Sequence, residues 1–385
     1  MDREKMTRET PPLRVLSLDG GGMRGTYTAT YLDRIAMAFA KRRGVPALDI
    51  GAAFDLIVGT STGGIIACAL AAGISLADIV ALYAEYGSAI FSRPLPSGVS
   101  GVILDNWRRP QALASGTASL RQELTRKFGE KKLGEIYSER GIALAIAAVE
   151  MSQHRAWVFK TPHLKGTNHR DDNYTLVDVC LATSAAPIYR SLAAVNHPDR
   201  GSSGFNMFVD GGLWANNPVL VGLIDALNLT ESGQEIQLFC LGTCPVPAGE
   251  QIARNNADRG IVDWKFGGEA AGLAIDAQQF AFDQMAKMLA RHLDRKCTVM
   301  RFPSDKVPAS LIPYLGLDET RRDAINALIN QARSDADMLN SKCAYTDTDA
   351  EAALVCSLFE CAPTLTDPLV SRKSVREAMS PTGRQ

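Results

Sequence analysis

Three short stretches of this sequence carry residue types that do chemistry together. Gly59-Thr60-Ser61-Thr62-Gly63 follows an apolar run, Phe54-Asp55-Leu56-Ile57-Val58, and precedes an apolar helical pattern from Gly64 to Ala72. A serine between small residues at a strand-to-helix turn is lifted above the sheet with its hydroxyl exposed, the nucleophile-elbow arrangement. The N-terminus of the new helix favours negative charge, which helps an oxyanion form beside it. Ser61 is therefore a candidate nucleophile, with Gly59 and Gly63 giving the chain room to turn. The five residues alone also fit a plain Gly/Ser-rich turn.

A serine needs a base. The chain has five histidines: His154, His163, His169, His197 and His292. Hydrolases of the common α/β type place the histidine late, in a loop after a strand. His292 sits inside a helical pattern, and His163 and His169 lie in a polar loop from Thr161 to Arg170, so none fits well. Asp210 fits better. It follows the short apolar run Met207-Phe208-Val209 and precedes Gly211 and Gly212, which leave space around its carboxylate. Asp-Gly-Gly alone is also an ordinary turn; placed here, it points to a Ser–Asp pair in place of a triad.

The third stretch is Asp19-Gly20-Gly21-Gly22-Met23-Arg24-Gly25, after the strand-like Arg14-Val15-Leu16-Ser17-Leu18. Consecutive glycines expose backbone N–H groups that bind a phosphate or the oxyanion of an acyl-transfer intermediate. Gly20, Gly22 and Gly25 also match the spacing of a dinucleotide fingerprint, which wants an acid at the end of the next strand. Asp49 precedes that strand, so an oxyanion loop built from residues 20–25, with Arg24 adding positive charge, is the better reading.

These stretches need a scaffold. Strand patterns at 14–18, 54–58, 142–149, 156–160, 207–209, 236–242 and 298–302 alternate with helical patterns at 26–43, 64–72, 176–186, 218–227, 267–292 and 318–339. Ser75 and Asp78 cap a further helix as a variant capping box. Alternation of this kind predicts an α/β fold with a mostly parallel sheet. Residues 91–116, rich in Pro, Gly and Ser, read as a long irregular excursion. Residues 1–12 read as a disordered tail, 13–245 as the catalytic domain, and 246–385 as a mainly helical region packed on it.

The 385 residues are 46% hydrophobic with a net charge of −1, so a bulk basic surface for DNA or RNA is not expected. No run reaches the roughly 18 apolar residues of a membrane span, and the charged N-terminus does not read as a secretory signal. A cytoplasmic protein that meets membrane at its surface is expected. The eight cysteines form no CxxC pair and are expected to be buried reduced thiols, and no metal site is expected.

The three stretches, in this order, resemble the patatin-like phospholipases, whose pattern is Asp-Gly-Gly-Gly-x-Arg-Gly, Gly-x-Ser-x-Gly and Asp-Gly-Gly or Asp-Gly-Ala. Ala182-Thr183-Ser184-Ala185-Ala186-Pro187 is a fourth match, and the similarity covers Arg14 to Thr243. The resemblance implies a three-layer α/β/α sandwich and a Ser–Asp dyad. Ser61 would be nucleophile and Asp210 general base, with Gly21 and Gly22 N–H groups as oxyanion hole supported by Arg24. It implies phospholipid or other acyl-lipid substrates and no metal. Leu16-Ser17-Leu18-Asp19, Phe159-Lys160-Thr161-Pro162-His163 and Gly211-Gly212-Leu213-Trp214-Ala215-Asn216-Asn217-Pro218 further resemble the phospholipase effectors of bacterial cyclic-oligonucleotide anti-phage systems (CBASS). That implies activation by a cyclic dinucleotide, attack on the inner face of the cell's own membrane, and shutting at rest by the 91–116 excursion or by self-association as a homo-oligomer. The candidate positive groups for a nucleotide lie in Trp107-Arg108-Arg109 and at Lys287, Arg291, Arg295 and Lys296, each of which also fits a solvated surface charge. An ungated lipid acyl hydrolase and a nucleotide-binding sensor are the alternatives.

Overall fold

The computed structural model describes residues 10–90, 109–198, 204–244, 252–254, 257–260, 264, 268–303, 307–343 and 349–365. The first half of the sheet is built where apolar runs were expected: β1 (Leu13–Leu18), β2 (Leu56–Thr60) and β3 (Ala143–Glu150) run parallel side by side. Between them lie α1 (Gly25–Arg43), α2 (Thr62–Ala71), α3 (Leu76–Ile90), α4 (Arg109–Phe128) and α5 (Leu133–Arg140). Helix α1 stops at Gly44, whose φ of 65° is the left-handed conformation that glycine takes without steric cost.

The second half departs from a purely parallel plan. β4 (Arg155–Lys160) and β6 (Phe205–Asp210) both pair antiparallel with β3, and β5 (Ala193–Asn196) pairs antiparallel with β6. Helix α6 (Leu176–Thr183) connects β4 to β5. After β6 come the short α7 (Gly212–Ala215), α8 (Val219–Leu229) and β7 (Ile236–Leu241), which lies parallel to β1. The C-terminal region adds α9 (Gly268–Arg291), then β8 (Cys297–Phe302) parallel to β7, then α10 (Arg322–Lys342) and α11 (Ala350–Cys361). The sheet order is β5-β6-β3-β2-β1-β7-β8, with β4 also on β3. The result is a mixed, mostly parallel sheet.

Neighbouring strand residues point to opposite faces, and each face has its own core. Leu16, Leu18, Ile57, Leu144 and Ile146 pack with α1, α2, α3 and α6; Val15, Leu56, Val58, Ala143 and Ala145 pack with α8 and Ala286 of α9. These are the two helical layers. The C-terminal region is tied to α1 by Tyr27, whose hydroxyl donates to Asp335 at 2.6 Å, and by the surface pair Arg34–Asp337 at 2.8 Å.

Three expectations are corrected. Part of the expected excursion is ordered helix, because α4 starts at Arg109; residues 91–108 lie outside the described residues. The helix predicted over 176–186 ends at Thr183, whose hydroxyl is used at the site below. Cys343 and Cys356 form a disulfide, at the end of α10 and within α11, with their Cα atoms 5.9 Å apart. Of the other six thiols, four are buried, Cys297 is half-buried and Cys361 is exposed. Among the described residues no helix is long and apolar enough to cross a membrane, and no cluster of His, Cys, Asp or Glu could hold a metal ion.

Phe159 of β4 sits fully buried, with ring contacts to Trp157, Tyr174 and, from β6, Phe208. Phe159→Ala is expected to lower the unfolding free energy by about 3–5 kcal/mol in urea titrations, because the ring's volume is left empty.

Candidate active site

Sheet register brings the three motifs together. Leu18 pairs with Gly59, Thr60 with Ala147, and the next residue of β3, Ala148, pairs with Asp210. The strand ends carrying Asp19, Ser61 and Asp210 therefore meet at one edge of the sheet. The antiparallel entry of β6 puts Asp210 there at its C-terminal end.

Ser61 is the residue before α2, with φ 53° and ψ −124°. A non-glycine residue at positive φ is strained and is held there by its surroundings. Its N–H donates to Thr183 Oγ1 at 2.8 Å, and that hydroxyl donates to Ala147 O at 2.6 Å. Thr60 Oγ1 donates to Ala215 O at 2.5 Å, and Thr62 Oγ1 to Gly22 O at 2.8 Å. The turn admits no bulk. A Cβ on Gly63 would lie 2.3 Å from the Leu18 carbonyl oxygen, and one on Gly59 would lie 2.5 Å from that of Gly63.

The Ser61 hydroxyl donates to Asp210 Oδ2 at 2.6 Å, a short bond of the charge-assisted kind. The other oxygen, Oδ1, accepts the Gly212 N–H at 2.7 Å. The Asp210 N–H donates to Ala185 O and the Gly211 N–H to Thr183 O, so the aspartate's backbone is fixed by the Ala182–Pro187 stretch. Ser61 and Asp210 are both buried. Burial pushes the Asp210 carboxyl up to about 6; the bonds from Ser61 and Gly212 and the charge of Arg190 pull the other way. A carboxylate at this value is mostly ionised at neutral pH and yet basic enough to take a proton.

No histidine shares this hydrogen bond. His163 is buried between Thr161 Oγ1 at 2.8 Å and Asp225 Oδ2 at 3.3 Å, in a structural network with Lys160. His169 pairs with Asp172 on the surface.

The glycine loop lies over the Ser61 turn. Gly20 N–H donates to Asn216 O at 2.9 Å, while Gly20 O accepts from Thr243 Oγ1 and from Asn216 Nδ2. Gly22 has φ 56°, which glycine adopts freely, and a Cβ there would strike the Leu317 carbonyl. Met23 N–H donates to that same carbonyl, and Gly25 packs against Thr62. Among the described residues the N–H groups of Gly21 and Gly22 have no acceptor. Arg24 is buried, and its Nε donates to Gly21 O at 3.3 Å, so it braces the loop from behind. Gly212 is held close to Asn216 and Asp210.

Several residues here carry no signal of their own in the sequence. Thr183 and Asn216 lie within quoted motifs, but their hydrogen bonds join segments far apart in the chain. Arg190, buried after Pro187, is coupled electrostatically to Asp210 and Tyr83. Thr243, Arg301 and Leu317 reach the glycine loop from β7, β8 and the turn before α10. Of the positive groups named for a nucleotide, Arg109 bonds Ile188 O, Lys287 pairs with Asp283, Arg295 bonds Thr230 Oγ1, Lys296 pairs with Glu235, and Arg291 is exposed at the end of α9; among the described residues none of these bonds reaches Ser61, Asp210 or the glycine loop. Trp107 and Arg108 lie outside the described residues.

The arrangement offers a strained serine hydroxyl bonded to a buried carboxylate, with open N–H groups at hand. Residues 16–223 match the model of the patatin-like phospholipases. A protein of Pseudomonas aeruginosa named cGAMP-activated phospholipase is 35% identical over 282 residues, 72% of this chain and 75% of that one. Proteins of the same name from Vibrio cholerae and Escherichia coli are 33% and 34% identical, over 55% and 61% of this chain. Those two matches span 57% and 63% of the relatives' own length. The chain belongs to the patatin-like phospholipase family.

Proposed function

We propose that this chain is a serine hydrolase of phospholipase A type that works through a Ser61–Asp210 dyad and is switched on by a cyclic dinucleotide. The observation that carries the chemistry is the 2.6 Å bond from the Ser61 hydroxyl to Asp210, with no histidine hydrogen-bonded to either among the described residues. Asp210 takes the hydroxyl proton as Ser61 Oγ attacks the acyl carbonyl carbon. The carbonyl oxygen becomes an oxyanion and accepts from the Gly21 and Gly22 N–H groups. Collapse of this intermediate expels the lysolipid alkoxide, which takes the proton from Asp210, and leaves an acyl ester on Ser61. Water then repeats the sequence, giving up its proton to Asp210 and releasing the fatty acid. The Gly59, Gly63, Gly211 and Gly212 backbones hold the turn, and Arg24 keeps the loop in shape.

Gating rests on the relatives, which are named for activation by cGAMP. Substrate is membrane phospholipid, met peripherally from the cytoplasmic side, as expected of an anti-phage effector. The direct test is fatty-acid release from phosphatidylglycerol liposomes with and without a panel of cyclic dinucleotides. Activation by one of them is expected. Release that no nucleotide changes would leave an ungated acyl hydrolase, and binding without release would leave a sensor.

A fluorophosphonate probe should label the wild-type protein, and Ser61→Ala should abolish the labelling. Asp210→Asn should stay folded and lose about a hundredfold or more in turnover. It should also gain stability relative to wild type as pH rises. The folded carboxyl titrates near 6 against 3.8 unfolded, so its contribution is present below 3.8 and lost as pH passes 6; melting curves of both proteins across this range test the sign.

The same value sets the activity profile. Turnover on a soluble ester is expected to fall by about tenfold per pH unit well below the Asp210 titration, because protonated Asp210 cannot act as base. A flat profile down to pH values well under 6 would place the base elsewhere.

A further inference from the structure

The glycine loop begins at Asp19, a buried carboxylate that the dyad mechanism does not use. Ser17 pairs with Cys240 across β1 and β7, and Cys240 pairs with Arg301 across β7 and β8. Arg301 therefore stands two strands away, level with the end of β1. Its side chain crosses β7, and Nη1 donates to Asp19 Oδ2 at 2.6 Å. Its Nε donates to Asp283 Oδ1 on α9 at 2.9 Å, and Lys287 joins Asp283 from the next turn at 2.8 Å. The other oxygen of Asp19 has no partner among the described residues. Burial pushes the Asp19 carboxyl up, and Arg301 pulls it back toward the ionised form. Arg24, the other cation near it, is turned to the Gly21 carbonyl.

We infer that Arg301 is a positioning residue for the reaction: by holding Asp19 to β8 and α9, it fixes where the Gly20–Gly22 backbone stands over Ser61. The inference rests on the hydrolase reading above. The geometry favours it over a merely structural ion pair for two reasons. Asp19 is covalently the first residue of the loop, so its carboxylate and the Gly20 backbone move as one. The same helix that anchors Arg301 also accepts the Asn216 N–H through Gln278 Oε1 at 3.0 Å, and Asn216 holds Gly20 on both sides of its peptide. Arg301 lies outside the residues matched by the family model, so the brace belongs to this chain's C-terminal region. Arginine suits the task, since its fork reaches two carboxylates at once where a lysine reaches one.

The test uses the full chain with Arg301→Lys, Arg301→Met and Asp19→Asn. With the panel of cyclic dinucleotides present, active sites are counted by fluorophosphonate titration, and kcat and KM are measured on a soluble p-nitrophenyl ester per titrated site. Arg301→Lys is expected to keep the fold and lose about ten- to a hundredfold in kcat with KM nearly unchanged, as a small displacement of oxyanion donors would cause. Arg301→Met is expected to be worse than Lys. The double variant Arg301→Lys/Asp19→Asn should be no worse than its poorer parent, because both changes break the same contact. Should Arg301→Met not fold, the Lys and Asp19→Asn variants decide. Fewer titratable sites with kcat per site unchanged in those two variants overturns the inference and leaves a stability role. A wild type that neither titrates nor turns over with any cyclic dinucleotide of the panel present overturns the hydrolase reading itself, and the inference with it.

Discussion

The hydrogen bond between Ser61 and Asp210 joins residues 149 apart in sequence, and it exists because β3 serves two strands in succession. Ala147 takes Thr60 of the parallel β2, and Ala148 takes Asp210 of the antiparallel β6. A slip of one residue in the β6 pairing would turn Asp210 to the other face of the sheet, and a slip in the β2 pairing would shift Ser61 away from it. Much of the surrounding structure secures this register. Thr183 links Ser61 N–H to Ala147 O, Gly211 sits where a Cβ would strike the Ala147 carbonyl, and Trp214 Nε1 donates to Ala148 O.

A second constraint is electrostatic. The site buries a carboxylate that the proposed mechanism needs ionised, and burial works against that charge. The structure offsets the cost with the Gly212 N–H, the Ser61 hydroxyl and the nearby Arg190, and a carboxyl near 6 results. Arg190 carries the mirror image of the effect, lowered to about 10 by burial and held up by Asp210. Two other charges in the fold are paired directly, buried Arg140 with Asp49 and buried Asp225 with Lys160. Breaking such a pair by removing one partner is costly, because the remaining charge stays buried. Among the described residues Asp210 has no direct ion pair, as the proposed proton transfer requires.

Ser61, Asp210 and the glycine loop could be read from the sequence because each is a turn with a strict local demand. Positive φ, close backbone approach and small neighbours all leave marks within five residues. What escaped was non-local. The antiparallel direction of β6 depends on where the chain returns after α6, and a run as short as Met207-Phe208-Val209 does not record it. Thr183, Thr243 and Leu317 act through single hydroxyl or carbonyl groups, which any sequence supplies in abundance. Arg301 looked like one cation among many in a strand. The Cys343–Cys356 bridge depends on how α10 and α11 pack, and a spacing of 13 residues gives no hint of it. The helix at Arg109 was hidden because its first turns hold Pro110, Ser115 and Gly116, residues that usually break or cap helices.

The central claim is that Ser61 becomes acylated with Asp210 as its base. It is tested most directly by trapping the acyl-enzyme with a slowly hydrolysed ester at neutral pH and mapping the adduct by peptide mass spectrometry. The acyl mass is expected on the peptide that contains Ser61 in the wild-type protein, and its rate of appearance should collapse in Asp210→Asn. Turnover without any adduct on Ser61, or an adduct formed equally fast without the Asp210 carboxylate, would contradict the dyad.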